Sequence, residues 1–254
     1  MKSIVKLYTA EMRKKYGNVY AAWKPGSHYE LGDYGVLKGY VFEYHGNIRQ
    51  LGLDFDIIAD STPSNENYRS SGVSATKIAA DGGAVVLEGV NTAAGFNIEF
   101  SNQNSVLYEA LNVHTNKIAD VAKLGKQLID MYESDTPGAN GVEWVKDYVV
   151  ITEIDAADSA TIIISNTRNA KIELRATANI GATNMNIADP KLGWSIATEH
   201  GLESRIVADA GATPLFKVKG IRGGSLFSKS KFKVRSNVKK ELDFVNITGP
   251  DGDL

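Results

Sequence analysis

Lys171-Ile172-Glu173-Leu174-Arg175-Ala176-Thr177-Ala178-Asn179-Ile180 alternates without a break. Successive side chains of an extended chain point to opposite sides, so Ile172, Leu174, Ala176, Ala178 and Ile180 share one face and Lys171, Glu173, Arg175, Thr177 and Asn179 the other. Gly95 to Ser101 repeats the pattern, with Phe96, Ile98 and Phe100 set against Asn97, Glu99 and Ser101. Segments of this kind build sheet with one apolar and one polar face, the habit of antiparallel strands.

Working outward, extended signals recur at Val73 to Ala79, Ala84 to Val90, Asp147 to Ile154 and Thr161 to Ser165. Turn chemistry at Asp81-Gly82-Gly83, Asn91-Thr92 and Asp155-Ala156-Ala157-Asp158 separates them, as hairpins require. Val19 to Trp23, Val36 to Tyr44 and Phe55 to Ile58 are further strands, the polar stretch Pro63 to Ser71 is a loop, and shorter strands follow at Ser195 to Thr198, Arg205 to Ala208, Leu215 to Ile221, Lys231 to Val234 and Phe244 to Thr248. Ile4, Tyr8, Met12 and Tyr16 recur every fourth residue before Gly17, which predicts a helix over Lys2 to Tyr16. A second helical region covers Ser105 to Leu111 and Lys117 to Tyr132, where Ile118, Val121, Ala122, Gly125, Leu128, Ile129 and Tyr132 form one face. The expected fold is α+β: a single domain over 1–248 dominated by a twisted antiparallel sheet, with an N-terminal helix and a central helical insert, and a loose tail at 249–254.

The chain has 254 residues, 43% apolar and 23% charged, enough apolar side chain for a real core and too little charge for wholesale disorder. It holds no Cys, which excludes disulfides, thiolate zinc sites, cysteine nucleophiles and thioester-linked acyl anchors. No run approaches the ~20 apolar residues of a spanning helix, and the N-terminus lacks the apolar core of a secretory signal, so a cytoplasmic location is expected. The net charge of −2 hides a concentration of nine Lys or Arg, with no acid among them, between Lys217 and Lys240.

Candidates for chemistry are weak. His28, His45, His114 and His200 lack metal-ligand spacing, and there is no G-x-S-x-G elbow or phosphate-binding glycine loop. The pairs Asp54/Asp56 and Asp155/Asp158 suit a cation or a glycosidase formally, yet one face of a strand and a turn explain them better. No catalytic residue, metal or cofactor is therefore expected. The basic segment carries more weight: Lys229, Lys231, Lys233 and Arg235 fall on one face of an extended chain, with Phe232 and Val234 on the other. That arrangement suits an anionic lipid surface or a nucleic-acid backbone, and also an edge strand protected by lysines. Lys2, Lys6, Arg13, Lys14 and Lys15 give the first helix the same choice between anchoring at a membrane and packing on the sheet.

The order of elements resembles the pore-forming domain of gasdermin-like proteins: a cationic helix, two or three strands, a hairpin region rich in small residues (Val73 to Ser101), a helical insert (Ser105 to Tyr132), a second hairpin region (Asp147 to Ile180) and a closing basic region. The resemblance spans most of the chain and rests on element order. It implies a non-enzymatic protein that moves from cytoplasm to membrane when active, binds anionic lipid, forms a homo-oligomer and inserts β-hairpins, killing the host cell. The cations Lys2, Lys6, Arg13, Lys14, Lys15, Lys229, Lys231, Lys233 and Arg235 then bind lipid, and Phe96, Ile98, Phe100, Ile172, Leu174, Ala176, Ala178 and Ile180 face the membrane interior. Many bacterial members carry an acylated Cys near the N-terminus, which this chain lacks. The alternative is a binding or scaffold module that recognises nucleic acid or a protein partner through its basic C-terminal region.

Overall fold

In the computed structural model the alternating stretch becomes a strand at Ala170–Ala176, its even-numbered residues buried and its odd-numbered ones facing outward. Residues 4–60, 62–78, 94–134, 137–178, 185–223 and 242–247 are described. Their elements in chain order are α1 (Ile4–Tyr16), β1 (Tyr20–Ala21), β2 (Asp33–Lys38), β3 (Val41–Asn47), β4 (Ile57–Ala59), β5 (Ser64–Arg69), β6 (Val73–Ile78), β7 (Gly95–Phe100), β8 (Ser105–Ile118), α2 (Val121–Glu133), β9 (Val149–Ala156), β10 (Ser159–Ser165), β11 (Ala170–Ala176), β12 (Trp194–His200), β13 (Ser204–Ala210), β14 (Leu215–Gly223) and β15 (Leu242–Asn246). The protein is α+β, with antiparallel sheet predominating and two α-helices among the described residues.

Two compact units share the chain, the first comprising 1–28, 60–114 and 155–215 and the second 29–59, 115–154 and 216–254. The first is layered. Its middle layer is antiparallel, β10 pairing with β13 on one side and β8 on the other, and β8 pairing in turn with β5. On one face of this layer Val106, Tyr108, Ala110, Ile162 and Ile164 pack with Leu7, Tyr8 and Met12 of α1. On the opposite face Leu107 and Ile163 meet a four-stranded antiparallel sheet of order β12-β11-β7-β6.

This layering explains the largest difference from the sequence expectation. Ser105 to Leu111 is strand, not helix, and every residue from Ser105 to Ala110 is buried. A strand covered on both faces reads as an unbroken apolar run, and such a run cannot be told from a buried helix by its periodicity.

In the second unit β2 and β3 form a hairpin where the sequence suggested one strand. Gly39 and Tyr40 both have positive φ (57° and 76°), the left-handed pair that a two-residue hairpin turn requires. Tyr34 of β2 pairs with Val150 of β9, the end of β8 pairs with β4, and β14 pairs with β15. The second helix begins only at Val121, because Asp120 caps it by accepting a hydrogen bond from the Lys123 amide at 2.8 Å. Tyr29, Phe42 and Phe216 form one aromatic cluster, and Tyr34, Trp144 and Tyr148 another.

Pro63 to Ser71, expected as loop, contains β5. The expected strands at Ala84 to Val90 and Lys231 to Val234, the turns at Asp81-Gly82-Gly83 and Asn91-Thr92, and the tail at 249–254 lie outside the described residues.

Candidate functional site

Two features of the first unit hold the residues singled out by the sequence: the four-stranded sheet and the cationic helix α1. In the sheet, Leu174 lies opposite Phe96 and Ile172 opposite Ile98 across the β11–β7 ladder, while Phe100 pairs with Ala170. The register therefore puts the apolar side chains of both strands on one face. Phe96, Ile98, Phe100, Ile172, Leu174 and Ala176 join a single buried cluster with Leu107, Ile163, Ile187 and Leu192. Asn97, Glu99, Lys171, Glu173 and Arg175 form the other face, where Arg175 Nε donates to Glu173 at 2.7 Å. Ala178 lies past the end of β11 and is half-buried, and Ile180 lies outside the described residues.

Gly95 makes the ladder possible at its lower end. A Cβ there would sit 2.1 Å from the carbonyl oxygen of Leu174, so only glycine allows the strands this close. Fully burying one large apolar side chain is worth about 1.5–3 kcal/mol, so turning the face that holds Phe96, Ile98, Phe100, Ile172 and Leu174 into water costs on the order of 10 kcal/mol. That equals the whole stability of a typical domain. The face stays covered in water and can be uncovered only into another apolar phase.

On α1, Leu7, Tyr8 and Met12 are buried against the middle layer and Val5 is buried as well, whereas Lys6, Lys14 and Lys15 are exposed. Arg13 is half-buried, donates from Nε to the Val19 carbonyl at 2.8 Å and lies over the Tyr20 ring at 4.6 Å. Lys14 pairs with Glu11. Lys15 reaches Glu66 at 2.9 Å and the Asn67 carbonyl at 2.8 Å. Tyr16 donates to the same Glu66 oxygen at 2.9 Å, and Tyr68 donates to Glu11 at 2.7 Å. Partial burial alone would raise the Glu66 carboxyl, but hydrogen bonds from Lys15, Tyr16 and Ser64, with the Lys15 charge, outweigh it and hold it below the ordinary glutamate value. Burial, reinforced by the Glu11 carboxylate, pushes the Tyr68 phenol well above its usual range.

With side chains 39% and 23% exposed, the Lys15–Glu66 pair is worth about 0.2–1 kcal/mol. Sequence reasoning singled out the lysines and missed their partners, because β5 passed for a loop. Its one signal was Glu66 and Tyr68 two residues apart, on the same side of an extended segment.

The remaining candidates are dispersed. Lys2, Lys229, Lys231, Lys233 and Arg235 lie outside the described residues. Within the described part of the basic region, Lys217 bonds Glu153 at 2.6 Å. Asp54 and Asp56 line a cavity of about 150 Å³ with Asp120, Lys123 and Gln127. Asp158 accepts from Asn112 at 2.8 Å, a turn contact. His28 bonds the Gly211 carbonyl and His45 the Tyr148 hydroxyl. Among the described residues no three His, Asp or Glu gather as metal ligands, and no helix is long and apolar enough to cross a membrane.

No family model matches the chain, and no curated protein matches it. Among solved structures it is similar to a bacterial gasdermin from Bradyrhizobium tropiciagri, at 9% identity and a TM-score of 0.35 over 94% of this chain and 90% of that one. It is also similar to the gasdermin A3 membrane pore, determined by electron cryo-microscopy, at 10% identity and a TM-score of 0.37 over 91% of this chain and 97% of that one.

Proposed function

We propose that this protein forms pores: α1 and the basic C-terminal region dock on anionic lipid, copies of the chain associate, and the strands of the four-stranded sheet insert. The observation that carries the proposal is the two-faced sheet. One side, built on Phe96, Ile98, Phe100, Ile172, Leu174 and Ala176, is fully apolar, and the other carries Asn97, Glu99, Lys171, Glu173 and Arg175. A transmembrane barrel needs this division, apolar toward lipid and polar toward the lumen. The free-energy cost that keeps the apolar face covered in water vanishes when the face moves into hydrocarbon.

Insertion requires the strands to lengthen. β11 has 7 residues and β7 has 6, short of the ~9–11 that cross a bilayer at a tilt. The sequence alternation continues past β11 to Ile180, which supplies the missing length. Edge groups of β6 and β12 would go unpaired in hydrocarbon, so insertion is favourable only when neighbouring copies close the barrel. The docking cations act together: at about 1 kcal/mol each, a handful of them gives micromolar attachment.

The test is dye release from vesicles of phosphatidylcholine with phosphatidylserine, compared with phosphatidylcholine alone, using the intact chain and the chain after limited proteolysis. Release that depends on the anionic lipid, together with ring-shaped oligomers, is expected. Vesicles that stay sealed under every treatment, with salt-sensitive binding to short nucleic acid instead, would replace this proposal with a nucleic-acid-binding module.

A further inference from the structure

We propose that Glu11 and Glu66 latch α1 onto β5, and that an anionic surface opens this latch, so that docking loosens the helix from the strand that leads into the four-stranded sheet. This rests on the pore-forming proposal and adds the step by which docking starts insertion.

Three observations converge. First, two of the exposed lysines of α1, Lys14 and Lys15, are held by carboxylates, Lys14 by Glu11 and Lys15 by Glu66. Full engagement of phosphates therefore competes with both pairs. Second, the same two carboxylates carry most of the polar ties between α1 and β5, the Lys15 bond to the Asn67 carbonyl at 2.8 Å being a further one. Glu11 of the helix accepts from Tyr68 of the strand, and Glu66 of the strand accepts from Lys15 and Tyr16 of the helix. Withdrawal of Lys15 from Glu66 removes the ion pair between α1 and β5 and leaves the attachment to the two phenol–carboxylate bonds.

Third, β5 is joined to the sheet by a very short connection. Only Ser70, Ser71 and Gly72 separate it from β6, which stands at one end of the strand order β12-β11-β7-β6. The connection is pinned by short bonds: the Ser70 amide to the Val106 carbonyl at 2.9 Å, the Val106 amide to the Ser70 hydroxyl at 2.8 Å, and the Ser101 amide to the Gly72 carbonyl at 2.8 Å. No slack loop separates β5 from β6. β5 is supported on two sides, by α1 through the latch, and by β8 through its ladder, the Ser70–Val106 bonds and the Arg69–Glu109 pair at 2.9 Å, so opening the latch removes one of the two. β6 is also lightly seated, with Val73 and Ala75 only partly buried against the apolar cluster, while Ile98 and Phe100 of β7 are fully buried. In the four-stranded sheet β6 is an end strand, held there by its ladder to β7.

The test is amide hydrogen exchange on the full chain with the double variant Glu11→Gln/Glu66→Gln, which removes both charges, nearly preserves side-chain size and leaves each side chain one acceptor oxygen in place of the two it uses. Exchange over residues 4–16 and 64–69 should quicken about fivefold, while β10 is unchanged. The charge-swapped variant Lys15→Glu/Glu66→Lys should return exchange toward the wild-type rate, which a general loss of packing would not do. Phosphatidylserine-containing vesicles added to the wild type should reproduce the pattern of the double variant, and phosphatidylcholine vesicles should not. Unchanged exchange in the double variant, or loosening confined to α1 with β5 still protected, overturns the latch. If the wild type releases dye and the double variant releases it no faster, the latch does not gate insertion. Failure of every protein to release dye, with exchange still quickened and still reversed by the charge swap, overturns the pore proposal and leaves the α1–β5 attachment established.

Discussion

The Tyr68 hydroxyl donates a 2.7 Å hydrogen bond to Glu11, joining two residues 57 positions apart in sequence. Glu11 is only 7% exposed, so this phenol and Lys14 are what its carboxylate has in place of water. Tyr68→Phe removes the donor and leaves the packing almost intact. A hydrogen bond to a charged group is worth about 1.5–3 kcal/mol, and because Lys14 remains, the variant should lose stability near the lower end of that range in urea denaturation. A midpoint equal to that of the wild type would show that Glu11 is solvated and that the bond contributes nothing.

Acid should loosen α1. Glu66 is held below the ordinary glutamate value in the folded protein, so its contribution is fully present above the unfolded value and disappears as pH falls through the folded one. Attachment of the helix is therefore complete at neutral pH and lost in the acid range, at and below normal glutamate titration. In Glu66→Gln nothing titrates at this position, and the acid limb of the stability curve should flatten. An identical acid limb in that variant would assign the pH dependence to other carboxylates.

The alternation of β11 predicts opposite results for neighbouring residues. Leu174 is completely buried in the cluster between the sheets, and Leu174→Ala should cost about 2–5 kcal/mol. Lys171 is exposed on the opposite face, and Lys171→Ala should stay within about 0.5 kcal/mol. Similar losses at both positions in thermal denaturation would contradict the two-faced sheet.

Gly95→Ala tests the ladder that joins the two strands. The added methyl would lie 2.1 Å from the Leu174 carbonyl oxygen, a backbone atom that cannot move without shifting β11. A loss of about 1–3 kcal/mol is expected, with faster amide exchange in β7 and β11 and normal protection in β2 and β3. Wild-type protection throughout would show that the strands are farther apart than this geometry places them.

Local chemistry marked several elements clearly. The fourfold spacing of Ile4, Tyr8, Met12 and Tyr16 marks α1, and Phe96, Ile98 and Phe100 mark β7 by their alternation. Where a segment touches two layers, such signals fail. β8 is buried on both sides through its first six residues and loses the alternation by which a strand is recognised. β5 fails for the opposite reason, because its alternate residues meet α1 through polar groups, Glu66 and Tyr68, and offer no apolar stripe.

The sequence by itself determined the two-faced strands, the cationic first helix and the absence of thiol chemistry, since each depends on side-chain identity at near spacing. Tertiary structure alone decided that the apolar faces of β7 and β11 are pooled into one sealed cluster, and that the helix cations are held by carboxylates from β5 as well as from the helix itself. Those outcomes follow from strand register and layer order, which bring together residues dozens of positions apart. Spacing along the chain carries no record of such contacts, because they are chosen by which faces must be buried together to leave water.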